Sequence, residues 1–319
     1  MRSERIRVER AALRRGPGAH DVHAAHWGAA GTGGALTVVC VHGLGGSHLN
    51  WRLIGPLLAA LPDVGTVWAP DLAGFGLTPL AAADGGERRA TLADNGDLLR
   101  GFLATVAPGG PVVLVGNSMG GLLSLGLAAR HPELVRGIAL VNPAVPAPLG
   151  ARLDPQVVAN FAAFALPRVG ESVLARRQRR LSPRQQVQQT MALCVADPEA
   201  LDAELLDAHT DLAARRRTMP YAHRAFLQAA RDVVRAVTVG RNRVWDAVAR
   251  IGAPGLYLQG AQDRLIRPET GALLLRHRPD WDHVRYEDLG HVPMIEDPDR
   301  VAGDLHRWLE RRVSAATTP

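Results

Sequence analysis

Short runs of apolar residues recur along the chain at Leu36–Val41, Thr66–Ala69, Val112–Val115, Gly137–Val141, Gly255–Leu258 and His283–Tyr286. Most are too short for a helix and too continuously apolar for a strand with one wet face. That is the pattern of strands buried on both sides of a parallel sheet. Between them, Leu49–Leu61, Thr91–Val106, Met119–Arg130, Glu269–Arg276 and Pro298–Arg312 read as helices. Strands alternating with helices predict an α/β fold with a mostly parallel sheet covered on both faces. Ile6–Val8 and Val22–Trp27 suit short antiparallel edge strands.

The alternation stops after Val141-Asn142-Pro143. From 146 to 240 the pattern is helical without strands: Pro155–Leu166, Pro183–Val195, Pro198–Arg216 and Tyr221–Val237 each open at or near a proline or turn residue. Strand-like sequence then resumes. This order predicts a helical cap, residues 146–240, inserted into a core made of 1–145 and 241–313; a separate helical domain is the alternative. The tail, 314–319, is expected to be disordered.

At 319 residues, with 47% hydrophobic positions, the chain can bury one large core plus an insertion. No run approaches the roughly 18 apolar residues of a membrane helix, and the basic start Met1–Arg7 leads into no apolar stretch. Two cysteines far apart, Cys40 and Cys194, predict no structural disulfide and suit a reducing, cytoplasmic location. All 37 basic residues are arginine, and the net charge is only +6 with 4% aromatics. That combination points to compositional bias and argues against a nucleic-acid partner. The clusters Arg176-Arg177-Gln178-Arg179-Arg180 and Arg215-Arg216-Arg217 could meet a membrane surface, but a solvated helix face is the preferred reading.

The chemistry concentrates at Val112-Val113-Leu114-Val115-Gly116-Asn117-Ser118-Met119-Gly120-Gly121. A strand ending in G-x-S-x-G and running directly into a helix is the context of a nucleophilic serine. Gly116 and Gly120 relieve crowding at a tight turn, and the helix aims its N-terminus at the reacting group. A serine needs a base, and the base needs an orienting acid. His291, in Leu289-Gly290-His291-Val292-Pro293, follows the last strand at the sheet edge where Ser118 must lie. Asp263 lies just beyond the strand before it. Asp288 stands too near His291 in sequence to reach round its ring, and Asp246 precedes its strand. For the oxyanion, the Met119 backbone N–H supplies one donor, and the loop His42-Gly43-Leu44-Gly45-Gly46-Ser47 supplies the other through Leu44. His42 is assigned a turn-forming role, and His20, His23, His26 and His277 are read as solvated or packing residues. The run from Asp71 to Thr78 lacks G-x-G-x-x-G spacing and is read as a structural loop beside the same edge.

These motifs, HG-x-G-G-S, D-x-x-G-x-G-x-T, G-N-S-M-G-G, G-x-x-D and G-H-x-P in that order, resemble the α/β-hydrolase superfamily, in its branch with a helical cap. The resemblance covers about 36–145 and 245–312 and implies a Ser118–Asp263–His291 triad. Epoxide hydrolases and haloalkane dehalogenases of this fold use an aspartate nucleophile, which Ser118 disfavours. The G-N-S-M-G-G run resembles the carbon–carbon hydrolases of meta-cleavage products. Those usually carry tryptophan after the catalytic histidine, where this chain has Val292. Perhydrolase behaviour is a known side activity of such sites.

The expectation is therefore a serine hydrolase of a small, apolar carboxylic ester, acting through an acyl-enzyme without cofactor or metal. The alternatives are carbon–carbon hydrolysis and a non-catalytic small-ligand receptor. Gly43, Asn117, Trp51, Phe161, Phe164, Leu166, Met191, Phe226 and Val292 are expected to line the substrate pocket. The residues specify no oligomeric state.

Overall fold

The structure is a computed structural model describing residues 1–9, 19–28, 36–81, 88–152 and 154–314. Among these residues one sheet of eight strands runs in the order β1-β2-β4-β3-β5-β6-β7-β8. The strands are β1 (Arg2–Glu9), β2 (Ala19–Gly28), β3 (Leu36–Val41), β4 (Val64–Pro70), β5 (Val112–Asn117), β6 (Val135–Val141), β7 (Gly255–Gly260) and β8 (Asp282–Tyr286). β2 pairs antiparallel with both β1 and β4, and the pairings among β3 to β8 are all parallel.

The first two strands are longer than their apolar centres suggested, because alternating Arg, Glu and His positions pair along an edge that needs only one buried face. The helices flanking the sheet are α1 (Ile54–Ala59), α2 (Leu92–Val106) and α3 (Met119–Arg130) in the first half of the chain. The expected helix over 49–61 is interrupted: His48–Trp51 forms a 3₁₀ turn capped by Ser47, and α1 restarts at Ile54. α2 begins where Thr91 caps the Asp94 N–H.

Six α-helices lie between β6 and β7 in the chain, the first five being α4 (Pro155–Ala165), α5 (Val169–Arg180), α6 (Pro183–Cys194), α7 (Ala203–Arg217) and α8 (Ala222–Val237). α5 went unseen in the sequence because arginines interrupt its apolar spacing. α7 starts at Ala203, not Pro198, since Asp202 accepts from the Leu205 N–H and caps it there. The chain re-enters the core through α9 (Arg241–Ala249), followed by α10 (Pro268–His277), α11 (Pro293–Glu296) and α12 (Pro298–Trp308). Beyond α12 the helix widens over Leu309–Ser314, so Ser314 is ordered, and 315–319 lie outside the described residues.

Alternate strand residues face opposite layers. Val39, Val41, Leu114, Ile138 and Leu140 pack with α2, α3 and α9. Val38, Cys40, Val113, Val115 and Val141 pack with α1 and α12. β3 pairs with β4 on one side and β5 on the other, so the chain order reverses between β3 and β5. The crevice beyond the carboxyl ends of these strands is where an open α/β sheet places its site. Among the described residues no single helix is long and apolar enough to cross a membrane.

Candidate active site

β5 passes into α3 through one residue, Ser118, held at φ 53°, ψ −118°. Such a backbone costs roughly 1–3 kcal/mol and persists only where the surroundings over-determine it. Here the Ser118 N–H donates to the Val141 carbonyl at 3.1 Å, and its own carbonyl accepts from Ala144 at 2.9 Å and Leu122 at 3.1 Å. Glycine is required next to this turn, because a Cβ on Gly120 would collide with the carbonyl of Val41. Met119 is the first residue of α3, so its N–H belongs to the set that an α-helix leaves without an intrahelical partner.

His291 stands on the loop after β8. Its Nδ1 donates to Asp263 Oδ2 at 2.6 Å, with both side chains buried. Asp263 follows β7, and its other oxygen accepts from the Leu265 and Ile266 N–H groups at 2.7 and 2.9 Å. The carboxylate is thus locked in place, and His291 must carry its proton on Nδ1, leaving the Nε2 lone pair available as a base. Two asparagines tie this loop to the Ser118 turn. Asn117 donates to the His291 carbonyl at 3.0 Å and to Val141 O at 3.1 Å. Asn142, at φ 43°, donates to the Gly290 carbonyl at 3.0 Å and accepts from Gly260 N–H at 3.1 Å. Asp288 instead pairs with Arg300 at the surface.

The loop after β3 approaches the elbow closely: a Cβ on Gly43 would lie 3.0 Å from Ser118 Cβ. Both ends of this loop are stitched to the 71–78 loop. His42 Nε2 accepts from the Leu72 N–H at 3.0 Å, which puts the ring proton on Nδ1, donating to Gly43 O at 2.8 Å. Burial pushes His42 down to about 4, consistent with a neutral ring. At the other end Asp71 accepts from the His48 N–H at 2.7 Å, and from His48 Nδ1, His23 Nδ1 and the Leu77 N–H at 3.0, 2.8 and 2.8 Å. Burial alone would raise the Asp71 carboxyl, but hydrogen bonds from His23 and His48 overcome it and hold the group well below the usual carboxylate range.

The donor atoms of His23, His48 and Asp71 lie within 4.8 Å of one another, the spacing of a metal site. Asp71 is already saturated by N–H donors, and Ser3 satisfies His23 Nε2, so the cluster is a complete hydrogen-bond network as it stands.

Of the residues expected to line a pocket, Phe161, Phe164 and Phe226 form an edge-to-face aromatic cluster, with Leu44 packed against it. A Cβ on Gly45 would lie 3.3 Å from the Phe226 ring, so this aromatic cluster sits directly on the loop that carries Leu44. Gly43 lies against Ser118, as described. The others are placed elsewhere. Asn117 is buried and its amide is committed to backbone carbonyls. Trp51 and Val292 are fully or nearly buried in the core layer that includes α1 and α12. Met191 is buried on α6, and Leu166 is 54% exposed at the outer end of α4. Hydropathy could not distinguish these fates, because a large apolar residue serves a core, a pocket wall or an exposed face equally well.

Sequence reasoning also missed Glu296. Its two oxygens accept from the Gly290 N–H at 2.8 Å and the Ala196 N–H at 2.7 Å, joining the His291 loop to the α6–α7 connection. The His291 N–H donates to the Cys194 carbonyl beside it at 2.6 Å.

The sequence profile of the Alpha/beta hydrolase family matches residues 38–305. The chain belongs to that family. This alpha/beta hydrolase is 32% identical over 194 residues to Lipase LipV of Mycobacterium tuberculosis, spanning 59% of this chain and 62% of that lipase. It thus spans less than two thirds of that relative's length. It is 26% identical over 286 residues to Lipase 1 of Psychrobacter immobilis, covering 83% of this chain and 74% of that one. The haloalkane dehalogenase DatA of Agrobacterium tumefaciens C58 has a TM-score of 0.75 over 97% of both chains at 19% identity, a likeness of fold alone. At family level, the lipase and esterase relatives support ester hydrolysis.

Proposed function

We propose that this alpha/beta hydrolase is a serine esterase that cleaves small, apolar carboxylic esters through an acyl-enzyme. The observation that carries the reading is the buried Asp263–His291 hydrogen bond of 2.6 Å, tied through Asn117 to the strained elbow of Ser118. His291 Nε2 takes the Ser118 proton as Oγ attacks the ester carbonyl. The Leu44 and Met119 N–H groups receive the developing oxyanion, each such donor being worth about 2.7–4 kcal/mol. The imidazolium, held by Asp263, returns its proton to the departing alcohol, and water then repeats the sequence to release the acid. The aromatic cluster of Phe161, Phe164 and Phe226 beside Leu44 supports an apolar acyl or alcohol group.

Turnover of p-nitrophenyl esters of graded chain length, with covalent labelling by a fluorophosphonate, tests this. Wild type is expected to turn over and label; Ser118→Ala is expected to do neither. Absence of turnover by wild type, or labelling that survives in Ser118→Ala, overturns the assignment. Turnover of a ring-fission diketone in place of every ester would move the reading to carbon–carbon hydrolysis.

A further inference from the structure

The outward surface of α4 and α5 has a composition at odds with a solvated lid. α4 contains no charged residue, and its exposed positions Val158, Ala159 and Ala162 lead to Leu166 at the corner. α5 turns away at 114° and continues the apolar line with Val169 and Val173. Leu166, Val158, Val169 and Val173 are 54%, 45%, 44% and 36% exposed. Large apolar side chains left in contact with water as one patch mark an interaction surface, whereas scattered ones do not.

Arginine rims the patch. On α5 the exposed positions 169, 172, 173, 176 and 180 follow helical spacing and share one face. Arg168, Val169, Ser172, Val173 and Arg176 line a shallow groove of about 400 Å³ there. The acid on α5, Glu171, is spent on Arg231 of α8, at 3.0 Å. Arg231 also donates to the carbonyl of Phe164 at 2.9 Å, so the corner is braced from behind and the patch is preformed. Three other arginines of the two clusters are occupied. Arg177 donates to Gln186 O and Thr190, Arg217 to Gln178 O and Leu181 O, and Arg216 to Gly74 O and Gly76 O. Exposed Arg168, Arg176, Arg179 and Arg180 keep their charge facing outward.

We propose that this α4–α5 corner docks the protein on the surface of an anionic phospholipid bilayer. The apolar line Val158–Leu166–Val169–Val173 enters the headgroup boundary, and Arg168, Arg176, Arg179 and Arg180 meet lipid phosphates. An apolar stripe bordered by unpaired arginines is the construction of an interfacial helix, with charge complementarity choosing anionic over neutral lipid. The inner face of the same helices carries Phe161 and Phe164, against the Leu44 loop, so docking holds the candidate active site close to the lipid boundary.

Vesicle flotation of the full chain tests the proposal. Vesicles of phosphatidylcholine mixed with phosphatidylglycerol are expected to carry the protein up, and pure phosphatidylcholine vesicles are not. Raising salt from 0.1 to 1 M, which shortens the screening length from about 10 to about 3 Å, should weaken binding at least tenfold. Val169→Glu/Val173→Glu should abolish flotation, and Arg168→Gln/Arg176→Gln/Arg179→Gln should weaken it tenfold or more. Each variant should keep its circular dichroism spectrum and its turnover of a short soluble ester. Ser118→Ala should float as wild type does, which separates docking from catalysis. Flotation equal on both lipids, or undiminished in Val169→Glu/Val173→Glu, overturns the proposal. So does a concentration-dependent dimer, seen in sedimentation, that Val169→Glu/Val173→Glu dissolves without any wild-type flotation; the patch would then be covered by a second copy.

Discussion

The side-chain amide of Asn117 donates to the backbone carbonyl of His291 across 3.0 Å, joining the residue before Ser118 to the histidine 174 positions later. The bond ties the carboxyl end of β5, next to Ser118, to the loop after β8 that carries His291. Replacing Asn117 by alanine leaves the His291 and Val141 carbonyls short of a donor in a buried place. The expected result is a loss of about 1–3 kcal/mol in stability and a fall in kcat larger than any rise in KM. Denaturant unfolding and ester kinetics measure both, and an Asn117→Ala variant with unchanged kcat would show that the tie is only structural.

Asp263 holds the tautomer of His291, so Asp263→Asn should preserve the fold while inverting the ring's hydrogen-bond pattern. A drop of about 10⁴ in kcat is expected from the wrong tautomer. Near-wild-type turnover would assign the orienting acid to another residue.

Gly43 has no room for a side chain: a Cβ there would sit 3.0 Å from Ser118 Cβ and 3.1 Å from Asn117 Oδ1. Gly43→Ala should displace the Leu44 loop or the serine by a few tenths of an ångström. Misplacement of a single oxyanion donor is expected to lower kcat about 10²–10³-fold. Melting temperature should change little, and a kcat within threefold of wild type would remove Leu44 from the oxyanion assignment.

His42 and His20 are both pushed down to about 4, chiefly by burial. Each is ordinarily half-protonated near 6.5 in the unfolded chain, which therefore binds more protons between pH 6.5 and 4. The stability that the neutral rings contribute is complete above pH 6.5 and is lost as pH falls toward 4. For the fully buried His42 the full displacement corresponds to about 3 kcal/mol. Urea unfolding should give a free energy that declines steadily across that window. His42→Gln should flatten the decline, and a slope unchanged in the variant would assign the effect to other groups.

Glu296 accepts from Gly290 on one oxygen and from Ala196 on the other, a double acceptor that glutamine cannot reproduce. Glu296→Gln should leave either the part-buried Gly290 N–H or the exposed Ala196 N–H without its acceptor, costing at most about 1–3 kcal/mol. It should also loosen the His291 loop, lowering kcat with little change in KM. Unaltered kinetics with reduced stability would confine Glu296 to holding the α6–α7 connection in place.

Much of this was legible in the residues. The strands from β3 to β7 were readable because a layer buried on both faces demands unbroken apolar runs, and Met119–Arg130 emerged with its bounds intact. Ser118, Asp263 and His291 were readable because each follows a strand, and strand ends of a parallel sheet share one edge. The segment between β6 and β7 was legible only as helices. The faces of those helices look alike in hydropathy, so Leu166, expected to line the pocket, stands 54% exposed, and Asn117 of β5, expected there too, has its amide on backbone carbonyls.

By itself, the sequence determined the alternation of strands and helices, the sheet edge where Ser118, Asp263 and His291 lie and the residue types gathered there. Those properties follow from local periodicity and chain direction, which are written in neighbouring residues. Only the tertiary structure decided that Asn117, Asn142 and Glu296 hold the His291 loop, that Asp71 and His42 anchor the Leu44 loop, and which arginines of α5 remain outward. Each of those is a choice among partners that neighbouring residues do not specify, made by packing and by the cost of leaving a buried polar group unpaired.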